Sequence, residues 1–483
     1  MSQTHESTET HGVEVSHIDV IPPSDRHGQP RDLFPVWFSG NLSIGNAIFG
    51  ALAIAVGNTF WWAVLAVLVG NVVGGVFMAL HSVQGARLGV PQLIQSRGQF
   101  GFLGALLPVF LATFLYGGFF VITAVIGGQA LSAAMPETFS VNGGLVLLSV
   151  LSLGIALLGY RTIHAAARWA LWPLAGAVIV ATVASVMRGG LEVTAGPFQS
   201  GPFFTAVGLM ATFLLTYAPY VSDYSRYLPE DSKASACFGW TFGGVFLSAT
   251  WCNLLGVVLA VQVGGLDVFA ATRDVIGNDA LAILTLVITA VAIAGNNALN
   301  LYGSMLNLIT GISSFTDVRP SFLLRLLFLL PTYAIGLFIA LRATENFTTD
   351  LGTFLSFLML GFVPWGAINL LDFYLVRHGN YDVPGFFRRS GTVYHHDPST
   401  WTYGGVNLQA LIAYVIGVAA AIPFMGNAWY IGSVSERLGG ADVSWVPGIL
   451  VTGAVYMLIT RVAGAKQTSP NSVSTAAATR QGG

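Results

Sequence analysis

The stretch Leu281–Ile312, LAILTLVITAVAIAGNNALNLYGSMLNLITGI, contains no Asp, Glu, Lys or Arg. It exceeds the roughly 20 apolar residues that a helix needs to cross a bilayer, so it reads as a membrane-spanning segment. Near its middle lie Asn296, Asn297 and Asn300. An unpaired carboxamide in hydrocarbon costs on the order of several kcal/mol, so these amides must have partners. Positions 296 and 300 are one helical turn apart and share a face. Two readings follow: a pair of amides that grips a flat, uncharged polar ligand, or polar glue between neighbouring helices.

Composition extends the membrane reading to the whole chain. Hydrophobic residues make up 54%, charged residues 9%, and mean hydropathy is +0.70. A soluble domain carries about 25% charged residues. A net charge of −2 leaves no basic footprint for nucleic acid. Cys237 and Cys252 share one apolar segment, which excludes a disulfide scaffold, and no metal-ligand spacing occurs.

Twelve segments are long enough to span: 33–57, 61–83, 105–133, 143–162, 166–187, 203–222, 236–263, 280–306, 320–342, 351–373, 405–426 and 444–463. Arg188, Arg273, Arg342 and Arg437 fall on one set of connections, and the other sixteen Lys and Arg on the opposite set and the termini. This bias predicts that both termini are cytoplasmic, in a multi-pass protein of the cytoplasmic membrane. Residues 1–32 are polar, without the apolar core of a cleavable signal peptide, and are expected to be disordered. The expected organisation continues with a ten-helix core over 33–373 and a cytoplasmic loop over 374–404. Two peripheral helices over 405–463 and a disordered cytoplasmic tail over 464–483 complete it.

No span carries an ionised side chain near its centre, which argues against a proton pump or voltage sensor. Two spans instead carry helix-loosening sequence. SGNLSIGN (Ser39–Asn46) interrupts the first, and TYAPY (Thr216–Tyr220) puts Pro219 inside the sixth. The first and sixth spans are equivalent if the first ten form two five-helix repeats of opposite topology, as are the third and eighth. Paired interruptions of this kind point to a transport site near the bilayer midplane. Aromatic residues gather on the same helices. The third span has Phe119 and Phe120 beside Gly117 and Gly118, with Thr123 one turn on, and the sixth has Phe213, Tyr217 and Tyr220. A flat heterocycle stacked between rings, with amides reading its edge, fits this pattern.

The chain resembles a known family at Ile21–Asn41 (IPPSDRHGQPRDLFPVWFSGN), Gln95–Pro108 (QSRGQFGFLGALLP), Ser222–Pro229 (SDYSRYLP), Asn296–Gly303 (NNALNLYG) and Leu370–Val383 (LLDFYLVRHGNYDV). These stretches look like the purine–cytosine permeases of the nucleobase:cation symporter-1 family. The resemblance implies an all-α membrane protein with the sodium–amino-acid-transporter fold: a five-plus-five inverted repeat and two peripheral helices. It also implies a symporter rather than an enzyme, importing a nucleobase or a related heterocycle. The family leaves open vitamin-like and hydantoin or allantoin-type substrates.

Carried over by position, the family's third-helix stacking tryptophan falls on Phe119 and its amide one turn later on Thr123. The first-helix polar contact falls on Ser43, the eighth-helix asparagines on Asn296 and Asn300, and the sixth-helix aromatic on Tyr217 or Phe213. Sodium-coupled members use first-helix carbonyls, here those of Ser39 and Leu42, with eighth-helix hydroxyls, here replaced by Ala294 and Gly295. A hard cation needs a full shell of oxygens, so the coupling ion is expected to be H+ rather than Na+, with no cofactor. Asp223, at the end of the sixth span, is expected to pair with Arg226 and hold the loop. No nucleophile–base pair or phosphate loop supports an enzyme. The polar residues cluster at one depth rather than lining a continuous channel.

Overall fold

The computed structural model describes residues 19–467 except 159, 192, 194 and 317–321; for 160, 161, 163–168 and 464–467 it describes the backbone only. The expected disorder of residues 1–18 and of the tail from 468 lies outside the described residues. Among the described residues the chain is mostly helical, and its spans follow the apolar segments closely.

The first span is broken. Helix α1 (Leu33–Asn41) ends at the Leu42–Ser43 link, a 3₁₀ turn follows at Ile44–Asn46, and α2 (Ala47–Ala55) continues after a 71° bend. Ser43 is extended and its hydroxyl accepts the Gly45 N–H, so the side chain caps the new turn. Then come α3 (Phe60–Leu88), the short α4 (Gln92–Phe100), α5 (Leu106–Ala134), α6 (Val141–Leu158) and α7 (Tyr160–Arg188). The sixth span consists of α8 (Ser200–Leu215), a 3₁₀ turn at Ala218–Tyr220 that contains Pro219, and α9 (Val221–Ser225). Proline thus ends the α-helical ladder where the sequence placed it.

The remaining elements are α10 (Ala234–Val263), α11 (Val268–Ile276), α12 (Asp279–Ser313), α13 (Phe322–Ala343), α14 (Phe347–Leu371), the hairpin β1 (Thr402–Tyr403) and β2 (Val406–Asn407), α15 (Leu408–Ala421), α16 (Ser433–Arg437) and α17 (Trp445–Gln467). Among the described residues, ten helices are long and apolar enough to span, the bent first pair counts once more, and α15 is a shorter apolar helix.

Two packed groups form the core. The broken helices lie with α3 and α10, while α5, α6, α12 and α13 pack on one another. Both groups map onto themselves under a five-span shift, as the inverted repeat requires. The helices of the first group touch through small residues: a Cβ at Gly50 of α2 would lie 1.7 Å from the Asn253 carbonyl oxygen, and one at Gly256 of α10 would lie 1.8 Å from that of Ala47. Close backbone approach of this kind is how helices gain dispersion energy where lipid removes the hydrophobic drive. Outward-facing Trp169, Trp172 and Leu323 are largely exposed, as lipid-facing side chains are.

The expectation of a disordered segment through residue 32 is overturned for Asp19–Asp32. Ile21 N–H bonds the Gly89 carbonyl, His27 N–H bonds that of Tyr227, and Arg26 donates to the carbonyls of Ile21 and Ala86. Hydropathy misses such anchoring because it runs through backbone groups and one guanidinium.

Candidate substrate site

The two breaks together wall one side of a cavity of about 370 Å³, with α5 and α12 on the other. On α12, Asn296 is open to the cavity while Asn297 is buried behind it. Asn300 also lines the cavity, and its Nδ2 donates to the Thr123 Oγ1 of α5 at 3.0 Å. The Thr123 hydroxyl in turn donates to the Phe119 carbonyl. A hydroxyl has one proton to give, so Thr123 is committed to its own helix and serves to aim the Asn300 amide. Phe119 presents its ring to the cavity, braced edge-on by Phe354 at 5.6 Å.

The sixth span supplies the opposite wall. Tyr217 donates its hydroxyl to the Asn41 Oδ1 at 2.8 Å and lies edge-on to Tyr220 at 5.7 Å. Tyr220 stacks on Tyr116 of α5 at 5.6 Å. Phe213 is only 3% exposed; its ring stacks on Phe49 of α2 at 4.0 Å and 24° and closes one end of the cavity. At the other end the lining is Asp223, Tyr224, Arg226 and Tyr227, beside the connection to α10.

The structure brings together six of the seven expected substrate residues: Phe119, Thr123, Phe213, Tyr217, Asn296 and Asn300. Ser43 is the exception, because its hydroxyl is turned into the cap of the 3₁₀ turn. Asn41 and Asn46 from the same SGNLSIGN stretch line the cavity instead, with Asn46 Nδ2 on the Asn41 carbonyl at 2.8 Å. Helical periodicity cannot say which polar residue of a break points inward, since the break is where the period fails. Sequence reasoning also misses Trp37, Tyr116 and Tyr224, and only their aromatic character signals them.

The four cation-site candidates do not line this cavity. The Ser39 hydroxyl bonds the Val36 carbonyl, and the Ser39 carbonyl accepts the Leu42 N–H at 3.3 Å. Leu42 and Ala294 are buried, and the Ala294 carbonyl takes the Ser152 hydroxyl at 2.8 Å. Gly295 faces open space. Asp223 and Arg226 interact through their charges, as expected, but their hydrogen bonds run elsewhere: Asp223 accepts the Gln92 N–H at the start of α4 at 2.8 Å, and Arg226 donates to the Asp19 carbonyl and the Tyr227 hydroxyl. From the start of α4, an amide chain runs from Gln92 through Gln84, Asn369 and Gln99 to Tyr381, which donates to Asp372 at 2.6 Å.

A ten-helix repeat core with a polar, aromatic-walled cavity between two broken helices defines an integral membrane transporter. The family described as permeases for cytosine/purines, uracil, thiamine and allantoin matches residues 20–448, and the chain belongs to it. The Bacillus subtilis (strain 168) protein named "Putative purine-cytosine permease YxlA" is 34% identical over 454 residues, covering 92% of this chain and 96% of that protein. Among solved structures, the inward-facing conformation of Mhp1 aligns with a TM-score of 0.75 at 18% identity, covering 94% of each chain. Mhp1 in a closed conformation with bromovinylhydantoin bound, described as a nucleobase-cation-symport-1 family transporter, gives 0.71 at 18% identity, covering 94% of this chain and 96% of that one. These two likenesses bear on the fold, which is the one the motif resemblance implied.

Proposed function

We propose that the protein is a secondary active symporter that imports a cytosine- or purine-type nucleobase, or a related flat heterocycle, by alternating access. One observation carries the reading: Asn296 and Asn300 turn carboxamides into a cavity walled by Phe119, Tyr217 and Tyr220. Amides read the edge of an uncharged ring while aromatic faces hold its plane. The name of the Bacillus relative supports the same class.

The basic-residue bias supports cytoplasmic termini in the cytoplasmic membrane. On that orientation the Asp223–Tyr227 end of the cavity faces inward and the Phe49–Phe213 stack closes its outer side. Protons are the proposed driving ion, because the positions that would ligate Na+ offer two carbonyls, that of Ser39 already hydrogen-bonded, a buried alanine and a bare glycine. The test is uptake of radiolabelled cytosine, adenine, guanine and uracil into proteoliposomes, with pH and Na+ gradients imposed separately. Saturable uptake of at least one base, driven by an inward proton gradient, is expected.

A second reading is a cation-coupled importer of a vitamin-like, hydantoin or allantoin-type heterocycle, in keeping with the thiamine and allantoin of the family description. Competition of these compounds against the bases in the same assay separates the two. No uptake of any base together with saturable uptake of one of the alternatives would replace the first reading.

A further inference from the structure

A second cavity, of about 240 Å³, lies on the far side of the Phe49–Phe213 stack, between α2, α8, the start of α14 and the 426–428 loop. The partition is thin: Phe49 and Phe213 line the inner cavity, while Leu52 and Thr212, one turn and one residue away, line the outer one. The outer cavity is lined by apolar side chains such as Leu52, Leu209 and Met359, and by hydroxyls, an amide and one carboxylate, that of Asp442. This residue is 3% exposed. Its Oδ1 accepts the Ser444 N–H at 3.1 Å and the Ser444 hydroxyl at 2.7 Å, whereas its Oδ2 has no hydrogen-bond partner among the described residues. Two other buried polar atoms of the lining, Thr353 Oγ1 and Asn427 Nδ2, are also unpartnered there. Among the described residues, no Lys, Arg, His, Glu, Tyr or second Asp lines the cavity from any of the elements that form it.

A buried carboxylate without a basic partner is unfavourable unless it is neutralised or rehydrated. A closed cavity is compatible with the neutral acid, whereas the ionised form draws water in and drives the walls apart. Those walls are the outer halves of the first and sixth spans and the start of the tenth. We propose that Asp442 is a proton-binding site that controls closure of the outer face, so that external acid favours the outer-closed state and external alkali the outer-open one. Burial pushes the Asp442 carboxyl up from the ordinary carboxylate range, opposed by Ser444 and by the nearby Ser356 and Gly426. Na+ is a poorer occupant, because a single anionic oxygen with scattered hydroxyls does not make a hard-cation shell. This inference concerns the opening of one face and stands apart from which ion drives uptake.

The test uses thiol accessibility. Gly352 lines the cavity and a side chain there meets nothing within 4 Å, so Gly352→Cys is accommodated. Trp429→Cys, at a position 73% exposed, supplies an exposed reference, and native Cys237 and Cys252 are buried. Labelling of intact cells by a membrane-impermeant maleimide is measured from about pH 5 to 8, above the ordinary carboxylate range. It is expressed as the labelling rate of the Gly352→Cys thiol divided by that of the Trp429→Cys thiol. The ratio is expected to rise several-fold with pH, to be low and flat with Asp442→Asn, and to keep its rise with a displaced midpoint with Asp442→Glu. A flat ratio in the otherwise native chain overturns the proposal without any Asp442 variant having to fold. An unchanged rise in Asp442→Asn, or a ratio that follows Na+ at fixed pH instead, overturns it equally.

Discussion

Phe49 and Phe213 stack at 4.0 Å, one ring from each broken helix, and form the partition between the inner and outer cavities of the protein. Because both rings are almost fully buried, the partition depends on ring contact rather than on a polar latch.

Phe213→Ala is expected to merge the cavities. Removing a buried ring costs about 3–5 kcal/mol of packing, much of it from the outer-closed state. Uphill accumulation should be lost while substrate exchange across the membrane persists, and Phe213→Tyr or Phe213→Leu should retain more accumulation. Steady-state accumulation ratios compared with counterflow rates check this. Full accumulation by the alanine variant would mean that the seal lies elsewhere.

Asn300 and Thr123 should behave as a pair. Asn300→Ala and Asn296→Ala are each expected to lower substrate affinity by about tenfold to a hundredfold, the equivalent of ~1–3 kcal/mol. Thr123→Val removes only the acceptor that aims Asn300, so it should weaken binding by less and add little in the double variant. Binding assays on purified protein decide this. Normal affinity in both asparagine variants would make these amides helix glue.

At Phe119 the cavity receives a ring face, and Phe354 fixes the orientation of that ring. Phe119→Tyr and Phe119→Trp should therefore keep uptake, and Phe119→Ala should lose most of it. Uptake by Phe119→Leu equal to that by Phe119→Tyr would exclude stacking as the contribution.

Asp372 is 1% exposed and accepts from the Tyr381 hydroxyl at 2.6 Å, the Tyr456 hydroxyl at 2.7 Å and the Arg377 Nε at 3.1 Å. Asp372→Ala strands a guanidinium and two phenols, and breaking a buried pair costs about 3–5 kcal/mol. A marked fall in the melting temperature of detergent-purified protein is expected, with a smaller fall for Asp372→Asn. No change in either would show that water replaces the carboxylate.

Replacing Na+ by K+ or choline at fixed pH should leave the initial rate of uptake unchanged, whereas collapsing the proton gradient should abolish accumulation. A saturable dependence on a Na+ gradient would overturn proton coupling. A Cβ at Gly295 meets nothing within 4 Å, so Gly295→Ser alongside Ala294→Ser can ask whether added hydroxyls create a Na+ response.

The spans were legible because a bilayer demands long apolar runs, and Pro219 and the Ser39–Asn46 stretch marked both breaks. On the intact helix α12 the 3.6 period placed Asn296 and Asn300 on one face, as found. It had no purchase inside the first break, where Ser43 folds into a cap and Asn41 and Asn46 take the cavity. Neither the outer cavity nor the amide chain from Gln92 to Tyr381 was legible. Each assembles single residues from segments hundreds of positions apart, such as Gln84 with Asn369.

The contact of bare backbone at Gly50 and Gly256 has a mechanical consequence. With no side chain between them, α2 and α10 have no compressible layer through which to slide. The outer half of the first span is therefore geared to the seventh, and so is the inner half, because a Cβ at Gly244 of α10 would lie 2.6 Å from the Phe34 carbonyl oxygen of α1. The seventh span thus carries both halves of the first across the extended link at Leu42–Ser43, so that the broken span and this partner swing as one body.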